Sequence, residues 1–511
     1  MNKIFTFLCL FLSLALVFAF AGMEKPVSNA SPGYSQAYME RSPGNFDSVE
    51  YVKAQQERFD WLMAESVPLS PDSIISIRLS AEDLAGIENH QCETCGAANS
   101  SVYKIRVGLF KPVNVSVSFA DLVPASMSTS GRFYSHGMMQ ATPGGGLVWT
   151  IGAESRDATA LRIHLTEFSL PGNAALYIYN MDGQAFGPYT DRGPNKTGDF
   201  WTNTVTGPVA YLQLRLYGPI SVEQLQSVRF VIEDIAHIGP KFLLPFLQQP
   251  DWIREGVSRT ESLCDYNAPC VEDASCYHGG TWNAIEAARK AVAYIQYISG
   301  PWIYMCSGGL IADTDTRTQI PYFLTADHCI KNQSQASSLE CYFRYKTTSC
   351  GSACYDPVGV VPRTLGSQIL SSSAYHGDYC LLKLNENPPA GSVFLGWTSA
   401  PAAYSKNLEL FRLSHPAGAP QAFSKHLVNT TFKECKNWPR GRWVYSTDVI
   451  GATEGGSSGS PVCNAAGQIV GHLTGGCGSN WSDVCDFVNN ATVDGAFAHY
   501  FSKIQQWLDP Q

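Results

Sequence analysis

Three short stretches in the second half of the chain carry residues able to act on a carbonyl group. Thr325-Ala326-Asp327-His328-Cys329 follows the apolar run Tyr322-Phe323-Leu324. Further on come Gly377-Asp378-Tyr379-Cys380-Leu381-Leu382 and then Gly455-Gly456-Ser457-Ser458-Gly459-Ser460-Pro461. A serine hydroxyl is a poor nucleophile until an imidazole takes its proton. The imidazole in turn needs a carboxylate to hold its tautomer and stabilise the imidazolium. Taken singly, each stretch has a plainer reading: a structural His beside a Cys, a turn or capping Asp, a Gly/Ser loop. Together, in the order His, Asp, Ser, they suit acyl transfer through a covalent intermediate.

Such groups must be held by something, and the pattern around them is that of strands. Leu161-Arg162-Ile163-His164-Leu165, Leu176-Tyr177-Ile178-Tyr179 and Leu212-Gln213-Leu214-Arg215-Leu216 alternate with period two, and Asn180-Met181-Asp182-Gly183 is a turn between two strands. Short strands divided by Gly, Pro and Asn predict a β-sandwich over 101–240, ending near Asp234. A prosegment over 22–100 precedes it, with helical spacing around Val49–Met63; 241–259 reads as a linker broken by Pro245, Pro250 and Gly256. Cysteines then become dense: Cys92 and Cys95 stand before residue 263 and thirteen follow from Cys264, so a disulfide-stapled domain is expected over 260–511. It closes on a helix at Phe501–Leu508.

Composition agrees. The 511 residues are too many for one compact domain, and 45% hydrophobic against 15% charged excludes a disordered chain or a coiled coil. A net charge of −9 argues against a nucleic-acid partner. Lys3, the apolar run Ile4–Ala21 and the small-x-small end Ala19-Phe20-Ala21 form a cleavable signal peptide over 1–21; a membrane anchor is the competing reading, and no basic stop-transfer cluster follows. The expected location is therefore secreted, extracellular or periplasmic, where cysteines pair.

Here the chain resembles the lysyl endopeptidase-like branch of the chymotrypsin superfamily. Cys306-Ser307-Gly308-Gly309-Leu310-Ile311 is similar to the strand before the family's histidine loop, and Thr325–Cys329 to its histidine motif, with Asp327 in place of a small or basic residue. Ser414-His415-Pro416-Ala417-Gly418 and Thr453–Pro461 are also family-like, and the likeness runs from about Cys264 to Pro510. The sandwich is similar to the propeptide of such proteases. The resemblance implies an all-β fold: a chymotrypsin-like double β-barrel with a short C-terminal helix, preceded by a β-sandwich prodomain. It makes His328 the general base, Asp378 its orienting carboxylate and Ser458 the nucleophile, with the N–H groups of Gly456 and Ser458 as oxyanion hole. Leu473-Thr474-Gly475-Gly476 would be the edge strand that pairs with substrate, Thr474, Gly475 and Gly476 making the contact. No metal or organic cofactor is needed. Substrates would be proteins or peptides; the propeptide would act as intramolecular inhibitor or folding aid, and a monomer is expected.

Two rivals stand beside this reading. Gly455–Gly459 also fits Gly-x-Ser-x-Gly, the nucleophile elbow of α/β-hydrolases, with Ser457 as nucleophile, but that fold needs its Asp and His after the serine and too little chain remains. The other is a catalytically inactive, protease-like secreted binding protein. The zymogen device of an Asp before the serine is absent, because Ser457 stands there, so latency falls to the prosegment; the processing site is Arg259 or Arg254. Trypsin-like enzymes place a pocket Asp where this chain has Ala452. Lysyl endopeptidases place it before a Gly-x-Phe segment such as Gly495-Ala496-Phe497, which nominates Asp494, with Asp483 as alternative, to select Lys or Arg. Both also read as turn or cap carboxylates, and Thr474 departs from the histidine usual in lysine-specific members. By resemblance the bridges are Cys306–Cys329, Cys264–Cys477 and Cys270–Cys350, with Cys380 a free thiol. Cys92 and Cys95 form a local disulfide rather than half a zinc site, and His415 and His472 are structural.

Overall fold

Leu161, Ile163 and Leu165 alternate with Ala160 and Arg162, and both sets are buried, so this strand is covered on its two faces. That arrangement explains how the two halves of the chain join. The structure, a computed structural model, describes residues 33–88, 91–92, 100–122, 132–133, 136–239, 268–280, 283–351, 361–480 and 483–510. The expected signal peptide, Cys95, the whole linker 241–259 with Arg254 and Arg259, and Cys264 lie outside them.

The N-terminal half begins with β1 (Gln36–Ala37) and α1 (Ser48–Ala64), which Asp47 caps by accepting from the N–H groups of Val49 (2.8 Å) and Glu50 (3.2 Å). Then come β2 (Ser100–Ser101), the long β3 (Tyr103–Ser118), β4 (Leu147–Ser155), β5 (Ala160–Ser169), β6 (Ala174–Tyr179), β7 (Ala185–Tyr189), β8 (Val209–Leu216) and β9 (Arg229–Ile238). Two antiparallel sheets, β7–β6–β8–β4 and β5–β9–β3, face each other across Trp149, Leu161, Ile163, Leu176, Ile178, Leu212, Leu214 and Phe230. This is a β-sandwich, and each strand expected from alternation lies within it.

The C-terminal half holds two barrels. The first uses β10 (Val292–Ser299), β11 (Trp302–Leu310), β12 (Tyr322–Ala326), β13 (Glu340–Phe343), β14 (Ser367–Ser373) and β15 (Tyr379–Leu384), paired in the order β13–β10–β11–β12–β15–β14. Arg363–Leu365 pairs with β13 and runs through Gly366 into β14, bringing the two ends together. The second uses β16 (Glu409–Ser414), β17 (Ala422–Val428), β18 (Trp443–Ile450), β19 (Pro461–Asn464), β20 (Ile469–Gly478) and β21 (Asn490–Ala496). Its ladders close a full ring, β16–β17–β18–β21–β20–β19 and back to β16, but β19 pairs with β20 only as far as His472, so β20 has no β19 partner beyond it. Helix α2 (Phe497–Leu508) follows and starts earlier than its apolar spacing suggests. Among the described residues no helix is long and apolar enough to cross a membrane.

Strands from before residue 120 also belong to the barrels. Leu109 of β3 pairs with His237 of β9 on one side and Trp302 of β11 on the other, so one sheet runs from sandwich to barrel. β1 pairs with Trp397–Thr398, and Ser100 and Ser101 of β2 pair with Cys477 and Gly476 of β20.

The disulfides correct two of the expected pairings. Cys306–Cys329 forms, but Cys270 bonds Cys485, Cys350 bonds Cys276, and Cys477 bonds Cys435. The cause is topological. Cys477 at the end of β20 faces the loop carrying Cys435, and they share a cluster with Trp438, Trp443 and Tyr445. Cys380 is unpaired and buried, as are Cys341 and Cys463.

Candidate active site

The three stretches meet where the barrels face one another. β12 ends at Ala326, placing His328 in the turn that Cys306–Cys329 ties back to β11. Asp378 immediately precedes β15 with φ of +59°, a left-handed backbone that Asp tolerates better than most residues. This turn aims its carbonyl at both barrels, accepting from the N–H of Asp327 (2.8 Å) and from His472 Nε2 (2.8 Å) on β20. Burial lowers the His472 pKa, so the ring is neutral and its Nδ1 accepts from the Tyr500 hydroxyl at 2.9 Å. His472 is thus a strut beneath Asp378.

The Asp378 carboxylate takes two bonds from one residue. Oδ1 accepts from the His328 backbone N–H (2.9 Å) and Oδ2 from His328 Nδ1 (2.7 Å). With the proton on Nδ1, Nε2 carries the lone pair, and that nitrogen is buried without a hydrogen-bond partner among the described residues. The serine loop is pinned close by. The Ser458 carbonyl accepts from the Ser307 N–H (2.9 Å) and the Gly459 N–H donates to the Leu473 carbonyl (2.8 Å). Gly459 has φ of +82°, and a Cβ there would collide with Thr325 and Ser307, so only glycine lets this loop reach the histidine strand.

Neighbouring groups are otherwise engaged. The Ser457 hydroxyl is fully buried and receives the Ser414 hydroxyl (3.0 Å), which removes it as an elbow nucleophile. Gly456 has φ of +93°, and a Cβ would lie 2.9 Å from the His415 carbonyl. The carbonyls of Gly455 and Gly456 point inward, accepting from Ala417 N–H (2.7 Å) and the Ser307 hydroxyl (2.8 Å). Among the described residues the N–H groups of Gly456 and Ser458 donate to no backbone carbonyl. His415 stacks on Tyr345 and meets the Ala419 carbonyl at 3.0 Å; burial lowers its pKa to about 4, so it is a packed, neutral ring.

Thr474, Gly475 and Gly476 lie on β20 beside this site, with the Thr474 hydroxyl buried and unpartnered and Gly476 already paired to Ser101. The expected pocket carboxylates are placed differently from the sequence reading. Asp494 is fully buried inside the second barrel, and its Oδ1 sits 2.6 Å from Arg412 Nη2. Arg412 neutralises it, so it is not a free receptor for a substrate cation. Asp483 is an exposed turn residue accepting from the Cys485 N–H at 2.9 Å.

Asp327 has a consequence of its own. Burial, then the nearby Asp378 charge, raises its pKa to about 6. The folded state therefore holds this proton more tightly than the unfolded chain, and stability falls as pH rises from the ordinary Asp range to about 6. Asp327→Asn is expected to raise Tm at pH 7.5 and to leave it near wild type at pH 4. Parallel melting curves at both pH values check this.

Residues 265–490 match the family model for the lysyl endopeptidase C-terminal domain. The match covers less than half of the chain. Over 373 residues, 70% of this chain, it is 29% identical to the lysyl endopeptidase of Pseudomonas aeruginosa and spans 73% of that protein. A secreted RxLR effector protein of Plasmopara viticola is 25% identical over 334 residues, with 63% of this chain and 76% of that protein covered. Among solved structures, the HtrA-type protease AlgW with a tripeptide aligns with TM-score 0.32 and 17% identity over 45% of this chain, which spans 64% of that structure's length. Deg5 aligns with TM-score 0.26 and 18% identity over 41% of this chain and 86% of its own. The likeness to lysyl endopeptidases supports a serine endopeptidase. Among the described residues, sequence reasoning passed over Arg412, the partner of Asp494, while His472, read there as structural, is the strut under Asp378.

Proposed function

We propose that the chain is the precursor of a secreted serine endopeptidase that cuts after a basic residue. The observation that carries this reading is the two-point hold of Asp378 on His328, which leaves Nε2 bare beside the Ser458 loop. Ser458 Oγ attacks the scissile carbonyl while its proton passes to His328 Nε2. The negative oxygen of the tetrahedral intermediate takes the free N–H groups of Gly456 and Ser458. Breakdown expels the amine with the proton from Nε2 and leaves an acyl-enzyme. Water then repeats the sequence, with His328 as base, and frees Ser458. Asp378 stabilises the imidazolium at each step and stays ionised throughout.

The precursor reading rests on β2. An extended substrate would add as a strand to Gly475–Gly476, and Ser101 pairs with Gly476 at that edge. The prosegment thus occupies the place of substrate, and cleavage in 241–259, at Arg259 or Arg254, would be the first step of its removal. The Ile4–Ala21 run and the four disulfides among the described residues fit export to an oxidising space. Labelling with a fluorophosphonate probe tests the reading. The processed protein, freed of its prosegment, is expected to label, the Ser458→Ala protein is not, and the intact precursor labels slowly. No labelling of the processed form would instead support the protease-shaped binding protein.

A further inference from the structure

The two walls beside Ser458 are β20 at Gly475–Gly476 and the segment from Gly451 to Gly456. A buried polar row connects them. Thr492 on β21 is the register partner of Gly476, and its hydroxyl donates to Asp448 Oδ1 at 2.8 Å. The same oxygen accepts from His426 Nδ1 at 2.6 Å. His426 Nε2 meets the Ser424 hydroxyl at 2.8 Å, and Ser424 Cα lies 3.1 Å from where a Cβ on Gly451 would sit. The hydrogen-bonded row Ser424, His426, Asp448, Thr492 therefore runs from the backbone beside Gly451 to the strand partner of Gly476.

Asp448 differs from Asp494 in the respect that matters for a cation. Asp494 is sealed and faces Arg412. Asp448 faces a hydroxyl and an imidazole whose other nitrogen meets the Ser424 hydroxyl. Both act on Oδ1, so they orient the carboxylate through one oxygen only. Oδ2 accepts no hydrogen bond among the described residues, and the side chain is 9% exposed, so it is buried without being sealed. A carboxylate held in this way, with one oxygen fixed and the other open in a largely dehydrated place, favours an ammonium or guanidinium through a charge-assisted hydrogen bond.

We propose that Asp448, oriented by Thr492 and His426, is the residue that selects Lys or Arg before the scissile bond. This rests on the protease reading above and names a carboxylate from β18, a different strand from the one that carries Asp494. Ala452 at the trypsin-like position contributes no charge and packs on Val271 and Ala422, so the cation is met from the floor formed by β17, β18 and β21.

The test is digestion of a mixed peptide library by processed wild type, Asp448→Asn and Thr492→Val, with each rate divided by the concentration of fluorophosphonate-labelled sites. Wild type is expected to cut after Lys or Arg. Asp448→Asn is expected to lower kcat/KM for a Lys peptide, relative to a norleucine peptide, about 10- to 100-fold, the range that one charged hydrogen bond supplies. Thr492→Val, which removes one orienting donor, is expected to lower the same ratio about 3-fold, and it decides the matter if Asp448→Asn does not fold. An unchanged ratio in the folded variants overturns the proposal, as does wild-type cleavage after acidic or apolar residues. Absence of labelling in wild type would be a separate outcome and would remove the protease reading itself.

Discussion

Replacing Asp378 by Asn should lower kcat/KM by about 10⁴ while leaving the fold intact. The backbone around the carboxylate determines how the amide must sit. Oδ1 accepts from the His328 backbone N–H at 2.9 Å, and only the carbonyl oxygen of Asn can keep that bond. The NH2 group is then turned toward Nδ1, where Oδ2 now accepts at 2.7 Å. A donor facing Nδ1 drives the imidazole proton to Nε2. That nitrogen then cannot accept from Ser458, and no carboxylate remains to stabilise the imidazolium. Asn also suits the left-handed φ of +59° at this position, so the backbone carries no new strain. Steady-state rates for the processed variant, per mole of folded protein, measure the loss. A drop of tenfold or less, with Tm unchanged, would show that Asp378 does not orient the base.

What could be read from sequence follows contact range. Thr325–Cys329 and Gly455–Pro461 are contiguous, so the residue types that chemistry requires stand next to one another. Their neighbours confirm their setting: Tyr322–Leu324 lies in β12, and Gly459 is needed at φ of +82°. The sandwich strands were legible because one face of each packs on a common core. The disulfides were not, since Cys270 and Cys485 are 215 residues apart and only the folded barrel brings them together. Asp494 was misread for a related reason: its partner Arg412 lies on β16, and a strand pattern does not say which inward polar groups meet. A signal for Asp448 did exist. Ser424 and His426 on β17, and Ser446 and Asp448 on β18, occupy alternate positions on strands otherwise rich in apolar residues, and a polar residue repeated on an inward face needs a partner. The β2 pairing left no such trace, because two serines carry no strand signature.

Glu340→Ala is expected to cost about 3–5 kcal/mol of stability and to loosen the sandwich from the barrels. Glu340 belongs to β13 of the first barrel, yet most of its partners come from the sandwich half. Thr204 donates its hydroxyl to Oε2 at 2.6 Å, Asn203 Nδ2 donates to Oε1 at 3.0 Å, and Arg162 Nε lies 3.9 Å from Oε2. Arg363, from the barrel side, lies 3.5 Å from Oε1. Burial alone would raise the carboxyl pKa, but Arg162 and Arg363 outweigh it and hold it below the usual range. Both guanidinium groups are buried as well, so removing the carboxylate strands two cations away from water, a larger penalty than losing the attraction itself. Glu340→Gln keeps acceptors for Thr204 and Asn203 but not the charge, and should fall between wild type and Ala. The pairing of Ile105–Leu109 with Trp302–Met305 continues one sheet across the same junction. With the ion cluster intact, a prosegment cut within 241–259 should therefore stay docked and require further proteolysis to leave. Size-exclusion chromatography of processed protein is expected to show the two parts eluting together in wild type and separating in Glu340→Ala. Co-elution in the variant would mean that strand pairing alone holds the prosegment, and that the buried ions serve the fold of the barrel rather than its attachment.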